Sequence, residues 1–183
     1  MKKLFIHIPK TAGTSVLDIT AKNKNYLCKL HDNIHTLNIQ HISQFRTMFS
    51  FCIVRNPYER TISAYNFLKN KCSNLNAIEK SYKIMLSKYE TFMNFLEDLP
   101  ILQTKIIHLV PQYKFVCDDQ GNILVNSVIK MENLSELKII DPIFVHLPHS
   151  NKSKKSMINL TQEMKQIIYN VYKKDFEIFQ YSM

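Results

Sequence analysis

Two segments of this 183-residue chain each run an apolar stretch straight into a polar turn and then a helical pattern: Phe5–Val16 (FIHIPKTAGTSV) and Phe51–Tyr65 (FCIVRNPYERTISAY). A chain that repeats strand–turn–helix is driven towards an α/β layer architecture, because strands joined by crossover helices pair in parallel and bury both faces. Leu4 to Ile8 is short and mostly apolar, the pattern of a strand covered on both sides, and Pro9 ends it because proline donates nothing to a ladder. Phe51 to Val54 repeats that pattern, with Arg55 where the strand emerges. Asn56 reads as an N-cap, Pro57 as the first helical residue and Glu59 as the far side of a capping box. The helix so begun should run to about Leu68 and turn Ile62, Tyr65 and the Phe67–Leu68 pair inward.

Both turns carry groups suited to holding phosphate. Lys10, Thr11, Thr14 and Ser15 supply an ammonium and hydroxyls where a helix begins, and backbone N–H groups at such a start form an anion site. Gly13 is one of only two glycines in the chain, placed to admit a close backbone approach or a positive φ. The order is not that of a Walker A loop, in which the lysine follows the glycines. In the second turn Arg55 can grip a phosphate bidentately. Ser63, about two helical turns on, joins it only if the helix runs beside the ligand. Arg60 reads as a solvated surface residue. Two phosphate turns of different design imply a ligand with anionic groups at both ends.

These two segments resemble the cofactor motifs of sulfotransferases, in particular the carbohydrate type related to heparan sulfate 2-O-sulfotransferases and its bacterial members. That family's first motif falls on Pro9 to Ser15 and its second on Arg55 to Ser63. The resemblance implies 3′-phosphoadenosine 5′-phosphosulfate as cofactor, with Lys10, Thr11, Gly13, Thr14 and Ser15 at the 5′-phosphosulfate and Arg55 and Ser63 at the 3′-phosphate. It continues through Pro111–Gln112, Met131 to Leu134, Leu147 to Ser153 and Asp175 to Tyr181, and so covers nearly the whole chain. Asn151, Lys152 and Ser153 would lie near the cofactor or over the mouth of its site. The implied fold is a three-layer α/β sandwich with a mostly parallel central sheet, similar to nucleotide kinases, in a single domain over residues 1–183.

Sulfuryl transfer needs a base for the acceptor hydroxyl, and a histidine titrating near neutral pH suits that task. His35 and His31 lie in the connection where the relatives keep theirs; His35 fits the bacterial pattern better, and His31 is the other candidate. His41 reads as a packing or surface residue in a helix, and His7 as a structural histidine of the first strand. Cys28, Cys52, Cys72 and Cys117 show no paired spacing, Cys52 reads as a small buried hydrophobe, and no metal site is expected.

A formal net charge of +9 favours polyanionic partners, and Lys152, Lys154 and Lys155 form one local part of it. The acceptor implied is an acidic glycan or another carbohydrate rather than nucleic acid. The first strand leads directly into the phosphate turn, with no signal peptide before it, and no apolar run is long enough to span a bilayer. These features give the expectation of a soluble cytoplasmic protein from a reducing compartment, of bacterial or viral type. Two other functions compete: a nucleotide or small-molecule kinase, and a non-catalytic polyanion-binding domain. Further along, Asn70 to Tyr89 reads as a weak helix or insertion and Tyr89 to Leu99 as a helix stopped by Pro100. Tyr113 to Lys130 holds two short β-rich runs around Asp118 to Gly121, the signal for a hairpin, and helices are expected over Glu132 to Ile140 and Thr161 to Tyr172.

Overall fold

The computed structural model describes residues 2–29, 47–70, 75–147 and 158–183. In chain order its elements begin with β1 (Lys3–Ile6), α1 (Gly13–Thr20), β2 (Tyr26–Lys29), β3 (Phe49–Val54) and α2 (Pro57–Asn70). Then come α3 (Ala77–Ser87), α4 (Phe92–Glu97), α5 (Leu99–Leu102), a 3-10 turn (Ile107–Leu109) and α6 (Tyr113–Val116). The last are β4 (Ser127–Lys130), a 3-10 stretch (Met131–Glu136), α7 (Leu137–Ile140), a 3-10 turn (Pro142–His146) and α8 (Gln162–Ile178). They form two compact units, Met1–Asn56 with Pro111–Lys152, and Pro57–Val110 with Ser153–Met183.

The first unit holds a sheet of four strands in the order β2-β1-β3-β4, and every pairing in it is parallel. Central strands covered on both faces explain the unbroken apolar runs: Leu4, Phe5, Phe51, Cys52, Ile53 and Val54 are all completely buried. Phe5, Val16, Phe51, Ile53, Ile129, Leu137 and Phe144 make one cluster, and full burial of each such side chain is worth about 1.5–3 kcal/mol. Cys52 is, as read, a buried hydrophobe whose thiol burial pushes far up. At the opposite edge from the turns, the amino ends of β1 and β2 are locked through Asp141. Its carboxylate pairs with the Lys3 ammonium, accepts from the Tyr26 hydroxyl at 2.7 Å, and accepts from the Ile143 N–H at 3.1 Å. Lys3 first, and Tyr26 second, hold the Asp141 carboxyl down at about 2.

Three expectations for this unit change. Tyr113 to Val116, read as a β-rich run, is a short helix closed by the Cys117 N–H on the Tyr113 carbonyl at 2.8 Å. The Asp118 turn exists, with the Asp118 carboxylate accepting from the N–H groups of Gln120 and Asn122, but its hairpin shrinks to one bridge between Cys117 and Ile123. The helix expected over Glu132 to Ile140 is split, because Asn133 leaves helical geometry (φ −123°, ψ 40°) and only α7 is regular.

The second unit is helical. Tyr65, Leu68, Phe92, Phe95, Leu99, Ile168, Tyr172 and Phe176 belong to its core. Its helices start where capping chemistry places them. Asn76 forms a full capping box with Glu79 at α3, Thr91 accepts from the Asn94 N–H at α4, and Thr161 accepts from the Met164 N–H at α8. Pro100 does not stop a helix; it sits in the first turn of α5, where a missing N–H costs nothing. α8 extends past Tyr172, which departs from helical angles and donates its hydroxyl to the Leu109 carbonyl at 2.7 Å. Arg60 is not solvated. It is only 2% exposed, in a buried polar group with Thr61, Tyr172 and Asp175 that α2 and α8 bring into this core.

Candidate active site at the carboxyl edge of the sheet

In the first unit β1 and β3 are neighbours, with Ile6 opposite Cys52, so the turns that leave them emerge side by side. The chain passes from β1 to β2 on one side and reaches β3 on the other, so the two central strands mark a topological switch point. Open parallel sheets bind ligands in the crevice at such a point. Next to β3, β4 ends in Lys130, paired with Val54. Lys10, Arg55 and Lys130 thus stand at the ends of three adjacent strands, a cationic edge.

The first turn is built by its own residues. Lys10 and Ala12 take positive φ values of 70° and 63°. Each costs a non-glycine residue roughly 1–3 kcal/mol, and strain of that kind gathers at functional sites. Ala12 in left-handed geometry followed by the first helical residue turns successive N–H groups to one side, the arrangement that makes an anion-binding nest. Ala12 makes no side-chain cap at the start of α1. Thr11 is fully buried and its hydroxyl donates to the Ile8 carbonyl at 2.8 Å, so it holds the turn. Thr14 is exposed at the start of α1, and Ser15 is buried with its N–H on the Ala12 carbonyl at 3.1 Å.

Of the two uses that the sequence suggests for Gly13, the positive φ is not taken up; that conformation falls to Lys10 and Ala12. What needs glycine is His7, because a Cβ on residue 13 would lie 1.9 Å from the imidazole Cδ2 and 2.1 Å from Nε2. His7 in turn stacks on Phe5 with ring centroids 6.0 Å apart. It is the wedge beneath the turn, a structural histidine as read, but one belonging to the site.

The second turn is held from elsewhere in the chain. The Arg55 guanidinium reaches back, Nη1 donating to the Lys10 carbonyl at 3.5 Å, which brings the two motifs into one place. The Arg55 N–H donates to Oε1 of Gln112 at 2.9 Å, and Nε2 of Gln112 donates to the Arg55 carbonyl at 2.9 Å. Glu132 accepts from the next N–H, that of Asn56, at 3.0 Å. Neither Gln112 nor Glu132 stands out in the sequence as functional. The only signal was that Pro111–Gln112 and Met131 to Leu134 continue the resemblance.

Of the remaining candidates, Ser63 is half-buried in α2 of the second unit. His31, His35, His41, Asn151, Lys152 and Ser153 lie outside the described residues. No described helix is long and apolar enough to cross a membrane.

No curated protein and no solved structure matches the chain. A family model described as "Sulfotransferase family" matches residues 2–182. The two polar turns side by side at the switch point of a parallel sheet agree with that match, and the chain belongs to the sulfotransferase family.

Proposed function

We propose that the chain transfers a sulfuryl group from 3′-phosphoadenosine 5′-phosphosulfate to an acceptor hydroxyl on an acidic or partly sulfated carbohydrate, and that residues 1–183 act as one domain. The observation that carries this reading is the meeting of the two anion-holding turns, with Arg55 Nη1 3.5 Å from the Lys10 carbonyl. The family match runs through both units, which supports reading them as one domain. A net charge of +9 suits an anionic acceptor.

The residues present fit such a donor. A strained nest with a lysine suits one anionic group, and an arginine at the neighbouring strand end suits a second. The donor, when bound, supplies the activated sulfuryl group and departs as 3′,5′-ADP. The N–H groups around Ala12, with the hydroxyls of Thr14 and Ser15, hold the 5′ side. Lys10 stabilises the negative charge that develops there, which is worth more in the transition state than before it. Arg55 holds the 3′-phosphate. Ser63 and the Asn151–Ser153 stretch enter on their motifs alone. His35, with His31 as the second candidate, takes the acceptor proton.

A thermal-shift series tests this. At a hundredfold excess over its dissociation constant, 3′,5′-ADP should stabilise the protein by about 2.7 kcal/mol, and ATP with magnesium should do no better. Stronger stabilisation by ATP with magnesium would point to a kinase. Tight 3′,5′-ADP binding without transfer of labelled sulfuryl to any glycan or small alcohol would point to a non-catalytic binder. Excess EDTA should leave transfer intact.

A further inference from the structure

We propose that Gln112 and Glu132 are positioning residues that set the 3′-phosphate selectivity of Arg55 by fixing the backbone from which its side chain departs; this rests on the functional reading above. Arg55 is the first residue beyond β3, and the ladder with β4 ends one step earlier, at Val54 opposite Lys130. The N–H and carbonyl of Arg55 therefore need partners that none of the described strands supplies. Gln112, whose side chain is completely buried, meets both with its primary amide at 2.9 Å each. A primary amide that bonds the N–H and the carbonyl of one residue ties the two peptide units on either side of its Cα, so it adds one rung to the sheet made from a side chain. Glu132 bonds the second of these peptide units at its other end, through the Asn56 N–H at 3.0 Å. Together they hold both peptide units that flank the Arg55 Cα, while the guanidinium stays at the mouth of the first turn. Small misplacements of a gripping group cost far more than their size suggests, because the ligand contacts are short and directional.

Neither residue needs to touch the ligand for this. The signature is a change in discrimination between nucleotides, rather than a general loss of binding. The test measures dissociation constants of 3′,5′-ADP and 5′-AMP by calorimetry for the wild type, Arg55→Ala, Gln112→Met, Glu132→Ala and Glu132→Gln, with melting temperatures alongside. Gln112→Met keeps the volume and removes both hydrogen bonds. It should reduce the preference for 3′,5′-ADP roughly tenfold, with 5′-AMP binding nearly unchanged. Glu132→Ala should reduce the preference about two- to threefold, and Glu132→Gln, which keeps an acceptor oxygen, should restore it.

If Arg55→Ala loses the preference while Gln112→Met and Glu132→Ala keep it, the positioning role is overturned and the functional reading survives. If Arg55→Ala keeps the preference, both fall. Equal weakening of both nucleotides in the Gln112 and Glu132 variants also overturns the proposal, since that is the mark of a merely structural loss. Should Gln112→Met fail to fold, the Glu132 pair decides, because that side chain is exposed and its removal opens no core cavity.

Discussion

The two turns at the carboxyl edge of the sheet reach the same end by opposite means. The first is self-made: the Thr11 hydroxyl closes on Ile8, Lys10 and Ala12 carry the strain, and Gly13 leaves room for His7, all within a few consecutive residues. The second is assembled: its arginine is held in place by Gln112 and Glu132, which the chain supplies only after the whole of the second unit's first part has been threaded. A self-made turn announces itself as a contiguous motif. An assembled one shows in sequence only its leading residue, here Arg55, and hides those that hold its backbone.

The widest departure from this pair should come from a residue of neither turn. His35→Ala should lower turnover by roughly 10²–10⁴ and leave 3′,5′-ADP affinity nearly intact, since a base acts on the acceptor. His31→Ala measured in parallel assigns the role: loss in the His31 variant alone moves it there, and full activity in both removes it from this segment.

Lys10→Ala should cut turnover by a factor on the order of 10²–10³, with nucleotide affinity falling much less. An unchanged turnover number would strip the first turn of its catalytic part. Arg55→Ala should instead act on binding, weakening 3′,5′-ADP by about 10- to 100-fold and hardly affecting 5′-AMP. If the Lys10 and Arg55 variants give the same profile in turnover and nucleotide preference, the division of labour between the turns is wrong.

Gly13→Ala tests whether the first turn really is self-made. Its new methyl collides with the His7 ring, so the imidazole must move away from Phe5. A drop of several-fold in 3′,5′-ADP affinity and a lower melting temperature are expected, with partial recovery on adding His7→Ala. No recovery in the double variant would mean that glycine is needed for the helix start itself.

The smallest effect concerns the opposite edge of the sheet. With its carboxyl held at about 2 by Lys3 and Tyr26, Asp141 has a folded value depressed below the ordinary carboxylate. Its contribution is therefore complete above pH 4 and is lost as the pH falls from about 4 towards 2. Asp141→Asn should lower stability by about 1–2 kcal/mol at pH 6, and the gap in urea midpoints should narrow at pH 3. Nucleotide preference should not follow this change; if it does, the two edges of the sheet are coupled.

What the sequence disclosed follows the same division. β1, β3 and the N-cap of α8 were legible because each depends on neighbours in the chain: apolar runs for the strands, and Thr161 ahead of an amphipathic pattern for the helix. Tyr113 to Val116 misled because aromatic and β-branched residues favour strands, whereas here a four-residue helix suffices to follow the tethered Gln112. Pro100 was read for what it ends and not for what it can begin. Arg60 looked like surface because charge usually is, and only the helix packed against it supplies the buried company of Tyr172 and Asp175. Of the candidate site, Lys10 and Arg55 stand out in their motifs, whereas the contacts of His7, Gln112 and Glu132 with the two turns emerge only from the fold.

The amide of Gln112 has a consequence for motion. Strand ends ordinarily fray, and their terminal N–H groups exchange with solvent long before the centre of a sheet opens. Here the Arg55 N–H, one residue past β3, is bonded to a side chain with no exposed surface. Its hydrogen should survive in heavy water about as long as those of Ile53 and Val54, and be released only when the sheet itself comes apart. The arginine proposed to grip the 3′-phosphate would then stand on ground that opens as slowly as the strand itself, at a place where loops are usually the first to move.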